Sequence, residues 1–170
     1  HCSFGRIFVL IAIGRIEEAF IALEQLPVKD ERACEVYFKL GRRLFDNHRL
    51  EESLEAFQQA LRIAPGLAGT HYNIGMIYET WAMHQQAATA YEQALALNAD
   101  MIDAHVRLSK MYIKLYRTQD ALAQIDEAIR HEGEKSDTCN IGAQAHMQQL
   151  DHKRAAELFQ RAVHLEPDNR

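Results

Sequence analysis

Apolar residues along this chain recur with a helical period, and the whole pattern recurs again every 34 residues. Residues 34–47 carry Tyr37, Phe38, Leu40, Gly41, Leu44 and Phe45 at i, i+3, i+4 and i+7 spacing, the stripe of an amphipathic helix. A polar break, Asp46-Asn47-His48-Arg49, precedes a second stripe of Leu50, Leu54, Phe57 and Leu61. Ala64-Pro65-Gly66 ends it, because proline cannot continue the hydrogen-bond ladder and glycine readily turns. Copies of this unit predict first helices near 69–82, 102–115 and 137–149. Second helices follow near 84–97, 118–131 and 151–165, with Thr118 and Asp151 as N-caps. Strand-like alternation is absent, so the expected fold is all-α.

The register is kept without insertion. Tyr37, His71, His105 and Cys139 share one site, and Gly41, Gly75, Ser109 and Ala143 share another. In the second helix the units read Ser53-x3-Phe57-x2-Ala60, Ala87-x3-Tyr91-x2-Ala94, Ala121-x3-Ile125-x2-Ala128 and Ala155-x3-Phe159-x2-Ala162. Mid-helix glycine costs about 1 kcal/mol relative to alanine, so the small residues mark places where two helices approach closely. A fixed period of this length means stacked helical hairpins, which excludes most enzyme architectures. The predicted division is 34–67, 68–101, 102–135 and 136–170. Residues 1–33 form a degenerate first unit that keeps Ala19, Leu23 and Leu26, giving about ten helices in one solenoid domain.

This pattern resembles the tetratricopeptide repeat, whose signature is W-x2-L-G-x2-Y, then A-x3-F-x2-A, then P. The resemblance covers residues 34–169, and residues 1–33 by their second helix only. No unit keeps the Trp, and the Leu-Gly pair becomes Gly142-Ala143 in the last unit, whose first helix is expected to pack most loosely. The resemblance implies a right-handed superhelix whose first helices line a concave groove for peptides or partner proteins, with no chemistry performed.

Net charge is −5, which argues against nucleic-acid binding, since phosphates call for clustered Lys and Arg. Cys2, Cys34 and Cys139 are odd in number and far apart, so reduced thiols and a cytosolic setting fit better than a disulfide framework. The longest apolar stretch, Ile7 to Ile13, is far short of the roughly 20 residues a bilayer requires and is in phase with the repeat. Neither membrane insertion nor a cofactor is expected.

The groove follows from the register. Phe38, Lys39, Arg42 and Phe45 come from one first helix, and Tyr72, Asn73, Met76 and Glu79 from the next. Val106, Arg107, Lys110, Ile113 and Lys114 come from the third, and Asn140, Gln144, Met147 and Gln148 from the last. Basic residues gather on these helices and acidic ones on the second helices (Glu51, Glu52, Glu55, Asp120, Asp126, Glu127), which suggests an acidic ligand. The carboxylate clamp known in part of the family is matched only by Asn73 and Arg107. Phe38, Arg42 and Asp103 stand at its other three sites. His71 and His105 lie one repeat apart, too far to share a metal, and read as packing residues, so no metal is expected. Cys34 and Cys139 have no ordered base, and no glycine-rich phosphate loop exists, so no catalytic residue is expected. Trp81, at the end of a first helix, is a candidate binding anchor.

The expected function is a non-enzymatic scaffold for a peptide or partner protein, centred on Phe38, Lys39, Arg42, Phe45, Tyr72, Asn73, Met76, Arg107, Lys110 and Lys114. The alternatives are a self-assembling structural module and the adaptor region of a larger enzyme. The chain starts at His1 and stops soon after Pro167 with no capping helix, as expected of a fragment. Leu158, Val163 and Leu165 then form an end surface expected to support a homodimer, while Phe159 faces its own hairpin.

Overall fold

The computed structural model describes residues 4–25 and 32–166. Leu26, Cys2 and Pro167, which figure in the register and thiol expectations, lie outside these residues. Ten α-helices and no strand occur among the described residues: α1 (Phe4–Ala12), α2 (Ile16–Glu24), α3 (Arg32–Asp46), α4 (Leu50–Ile63), α5 (Ala68–Thr80), α6 (His84–Leu97), α7 (Ile102–Lys114), α8 (Thr118–Glu132), α9 (Ser136–Gln148) and α10 (His152–Leu165). The helices fall in two compact units. The first ends at Ile77 and the second begins at Tyr78, within α5.

In the first unit α1 packs on α2 and α3, and α3 packs on α4. Its core gathers Ile7, Leu10, Ile11, Ile16, Ala19, Leu23, Val36, Leu40, Leu44 and Ala56. Gly41 sits against the Phe57 ring so closely that an added Cβ would stand 2.8 Å from it. The buried Ser53 hydroxyl donates to the Gly41 carbonyl at 2.7 Å. The small residue, the ring and the serine of the repeat unit thus form one contact, and glycine is retained because nothing larger fits. Gly75, Ser109 and Ala143 are buried at the same register site.

In the second unit α7 packs on α6, α8 and α9, and α9 packs on α8 and α10. Here α9 departs from expectation. Instead of packing loosely it buries Cys139, Ile141, Gly142, Ala143 and Ala145. Glycine at the usual leucine site leaves room that Leu158 enters, its Cδ1 standing 3.3 Å from where a Gly142 Cβ would be. Leu158 is therefore half-buried in its own hairpin, and Phe159 takes the outward place, 40% exposed beside Val163 at 63% and Leu165 at 45%. The expected roles of Leu158 and Phe159 are exchanged.

The turn inside each hairpin repeats with the period. Gly14, His48, Ala82, Tyr116 and Leu150 have φ of 81°, 59°, 56°, 59° and 61°, the left-handed region. Each is followed by a backbone N–H that reaches five residues back, as in Arg49 to Leu44 and Asp151 to His146. This is the glycine-favouring end of a helix, and four of these five turns build it without glycine. Asp151 caps α10 by accepting from the Arg154 N–H. Thr118 does not cap α8: it is the first helical residue, and its hydroxyl donates to Gln148 at 3.0 Å.

The shared histidine site is structural in both units. His71 Nε2 lies 3.2 Å from the Pro65 carbonyl and His105 Nε2 2.9 Å from the Ala99 carbonyl, so each ring donates to the turn that precedes its helix. The Trp81 ring packs edge-on against Tyr78, with centroids 6.0 Å apart.

Candidate functional site

The α3 face is built by a helix whose buried stripe (Val36, Leu40, Gly41, Leu44) fixes the opposite stripe outward. Phe38, Lys39, Arg42, Phe45 and Asp46 lie on that outer side, and the ladder of i, i+4 neighbours brings Phe38 beside Arg42 and Arg42 beside Asp46. Phe38 also packs edge-on against Phe57 at 5.8 Å and lies 3.7 Å from the Cβ position of Gly69. Its ring is a floor for the face.

Two hollows flank α3 in the first unit. One, of about 370 Å³, is lined by Arg42, Phe45, Asp46, Tyr72, Asn73 and Met76, between α3 and α5. The other, of about 300 Å³, is lined by Ile11, Ala12, Phe38, Lys39, Arg42, Arg43 and Asp46, between α1 and α3. Arg42 and Asp46 belong to both. All seven first-unit residues expected in the groove therefore line one or both hollows. Arg43, Asp46, Ile11 and Ala12 were not expected there. The period carries the signal for Asp46, four residues from Arg42, whereas Ile11 and Ala12 lie where the 34-residue pattern is weakest.

Electrostatically the hollows are uneven. Lys39 pairs with Glu35 at 2.8 Å and lies 4.3 Å from the Phe8 ring centroid. The Asn73 amide donates to the Gly69 carbonyl at 2.6 Å. Arg42, Arg43 and Asp46 side chains have neither a hydrogen bond nor an ion pair among the described residues.

The candidates on α7, in the second unit, behave differently. Arg107 donates to Glu79 at 2.9 Å, and Glu79 also accepts from the Tyr91 hydroxyl at 2.6 Å. Lys110 pairs with Asp137 at 3.2 Å. Ile113, expected on the groove, is buried, and its carbonyl accepts from the Gln148 amide at 2.9 Å. Lys114 is exposed. Behind this face the buried Tyr112 hydroxyl donates to Glu92 at 2.7 Å, and the Arg117 guanidinium stands 4.2 Å over its ring. Burial, with Glu92 beside it, pushes the Tyr112 phenol well above its ordinary range.

No group of three or more His, Cys, Asp and Glu that could hold a metal occurs among the described residues, and no described helix is long and apolar enough to cross a membrane.

Residues 34–67 and residues 68–101 match family models described as tetratricopeptide repeat. The chain carries tetratricopeptide repeats. Over 90 residues it is 29% identical to protein O-mannosyl-transferase Tmtc3 of Drosophila melanogaster, covering 51% of the chain and 10% of that protein. Over 105 residues it is 27% identical to Superkiller protein 3 of Schizosaccharomyces pombe, covering 59% and 8%. The chain thus spans a tenth or less of both relatives. It is 26% identical over 155 residues to photosystem I assembly protein Ycf3 of Synechococcus elongatus, covering 89% and 78%. Among solved structures, MamA matches at 20% identity and TM-score 0.80 over 93% of this chain and 92% of that one. YrrB, described as a TPR protein with an unusual peptide-binding site, matches at 17% identity and TM-score 0.83 over 96% and 84%. At such identities the likeness is one of fold, and the fold is that of an all-α tetratricopeptide-repeat solenoid.

Proposed function

We propose that this tetratricopeptide-repeat chain is a non-catalytic scaffold that holds a peptide segment of a partner protein along the first-helix faces. The reading takes residues 102–135 and 136–170 as two further repeats and residues 1–33 as a degenerate first one. The observation that carries it is the pair of hollows sharing Arg42 and Asp46, walled by Phe38, Phe45, Tyr72 and Met76. Rings and a thioether beside uncommitted charge suit a side chain that must be both buried and oriented. A photo-crosslinking amino acid at Tyr72 is expected to give partner adducts by mass spectrometry. The same group at Ala123, exposed on α8, is expected to give none. Comparable yields from both positions would remove the groove assignment.

A second reading, self-association, is favoured by Phe159, Val163 and Leu165 on α10, exposed on one short helix. It predicts a concentration-dependent dimer in sedimentation, dissociated by Phe159→Glu or Val163→Glu. A monomer at high concentration would remove it.

A further inference from the structure

The hollow between α3 and α5 sets two aromatic rings and a thioether beside Arg42 and Asp46. Phe45, Tyr72 and Met76 wall it, and the Asn73 amide is already given to its own helix. The hollow between α1 and α3 has an apolar floor of Ile11, Ala12 and Phe38 but carries Lys39, Arg42 and Arg43 against a single acid, Asp46. Its two guanidinium groups have no carboxylate partner among the described residues. The two hollows lie on opposite flanks of one helix, so their centres are separated by about one helix spacing, roughly 8–10 Å. An extended chain advances roughly 3.3–3.6 Å per residue, so about three residues cover that span.

We propose that the two hollows form one bipartite site for an extended partner segment, taking a bulky apolar side chain between α3 and α5 and, about three residues away, a carboxylate between α1 and α3. The proposal rests on the groove reading above and adds the ligand's chemistry and spacing. The carboxylate is held by Arg42 and Arg43, whose forked donors suit it better than the already paired Lys39. Asp46 opposes it from the shared rim and so sets how acidic a segment the site accepts. The α7 cations take no part, because Glu79 and Asp137 already occupy Arg107 and Lys110.

The test is selection of a phage-displayed random dodecapeptide library on the full chain, followed by binding of synthetic winners measured by fluorescence anisotropy. Enriched sequences should pair a large apolar residue with Asp or Glu three residues away. Changing that acid to its amide should weaken binding about tenfold or more. The difference should disappear in the Arg42→Gln, Arg43→Gln double variant, and Asp46→Asn should tighten acidic peptides severalfold. Peptides ending at the acidic position, as free acid or as amide, distinguish a side-chain carboxylate from a chain terminus. Winners that lack the acid but lose affinity in Tyr72→Ala would overturn this proposal and leave the groove reading standing. Selection that yields no binder sensitive to Tyr72→Ala would overturn both.

Discussion

The α3 face of the first unit and the α7 face of the second begin from the same sequence pattern and end with different electrostatics. Each is the outer stripe of a first helix, and each carries basic residues at equivalent sites. On α3 the guanidinium groups of Arg42 and Arg43 are uncommitted among the described residues. On α7, Arg107 is tied to Glu79 and Lys110 to Asp137. Whether a basic residue in a repeat is a ligand site or a strut depends on whether another helix sets an acid within reach. A charge count per helix puts the positive potential of the first helices on α7, where two of the cations are already neutralised by ion pairs.

The largest expected effect comes from destroying the support of the α3 face. Gly41→Leu would drive a side chain into the Phe57 ring, which also braces Phe38. It should cost about 3 kcal/mol in urea unfolding and remove peptide binding. At the equivalent site Ser109→Ala loses only a hydroxyl bonded to the Val106 carbonyl and should change stability by less than about 1 kcal/mol. Equal midpoints for wild type and Gly41→Leu would show that the close approach does not exist.

A smaller effect separates strut from ligand site. Glu79→Gln removes the charge that joins Arg107 and Tyr91 and should cost about 1–2 kcal/mol without changing peptide affinity. Arg42→Glu should do the reverse, with the urea midpoint held and affinity lowered at least tenfold. If both substitutions move both quantities together, the two faces are not different in kind.

Much of this was legible in the sequence, for a physical reason. The first helices expected near 69–82, 102–115 and 137–149 end within about two residues of those bounds, because a stripe buried on both hairpin partners must keep its phase. Thr118 misled because a hydroxyl near a helix start is as able to bond a neighbouring side chain as to cap. Phe159 and Leu158 exchanged roles because Gly142 opens a space one register site away from where the family pattern puts it. The ion pairs on α7 were hidden for another reason: each joins two different helices, and one-helix reading sees only i, i+4 neighbours.

The hairpin turns were the least legible element, since His48, Ala82, Tyr116 and Leu150 give no chemical hint of a left-handed backbone. They offer the next prediction, equal in both units. Leu150 is 76% exposed, so Leu150→Gly loses little burial and relieves a conformation that disfavours side chains. The gain, net of the extra freedom glycine gives the unfolded chain, should be about 0.5 kcal/mol. His48→Gly should match it in the first unit. A lower melting temperature in both variants would show that the turns are held by those side chains.

The last effect appears only in alkali and concerns one register site filled differently in the two units. Tyr37 lines a hollow beside Phe20 and Glu55 in the first unit, while Cys139 is buried at the equivalent place in the second. Burial, followed by the hydrogen bond to Glu134 and that carboxylate's charge, pushes the Cys139 thiol from 9.0 up to about 11. A raised value means that the fold favours the protonated thiol. Its contribution to stability is whole below about pH 9, where the thiol is protonated in folded and unfolded chains alike. Between about 9 and 11 the unfolded chain gives up a proton that the folded chain retains, so the contribution is lost as pH rises through that window. Urea midpoints of wild type and Cys139→Ala should keep a constant difference up to about pH 8.5 and converge, or cross, by about pH 10.5. A difference that stays constant across the window would mean that the thiol ionises as freely in the fold as in the unfolded chain, and that the second unit opens to solvent at the buried Cys139.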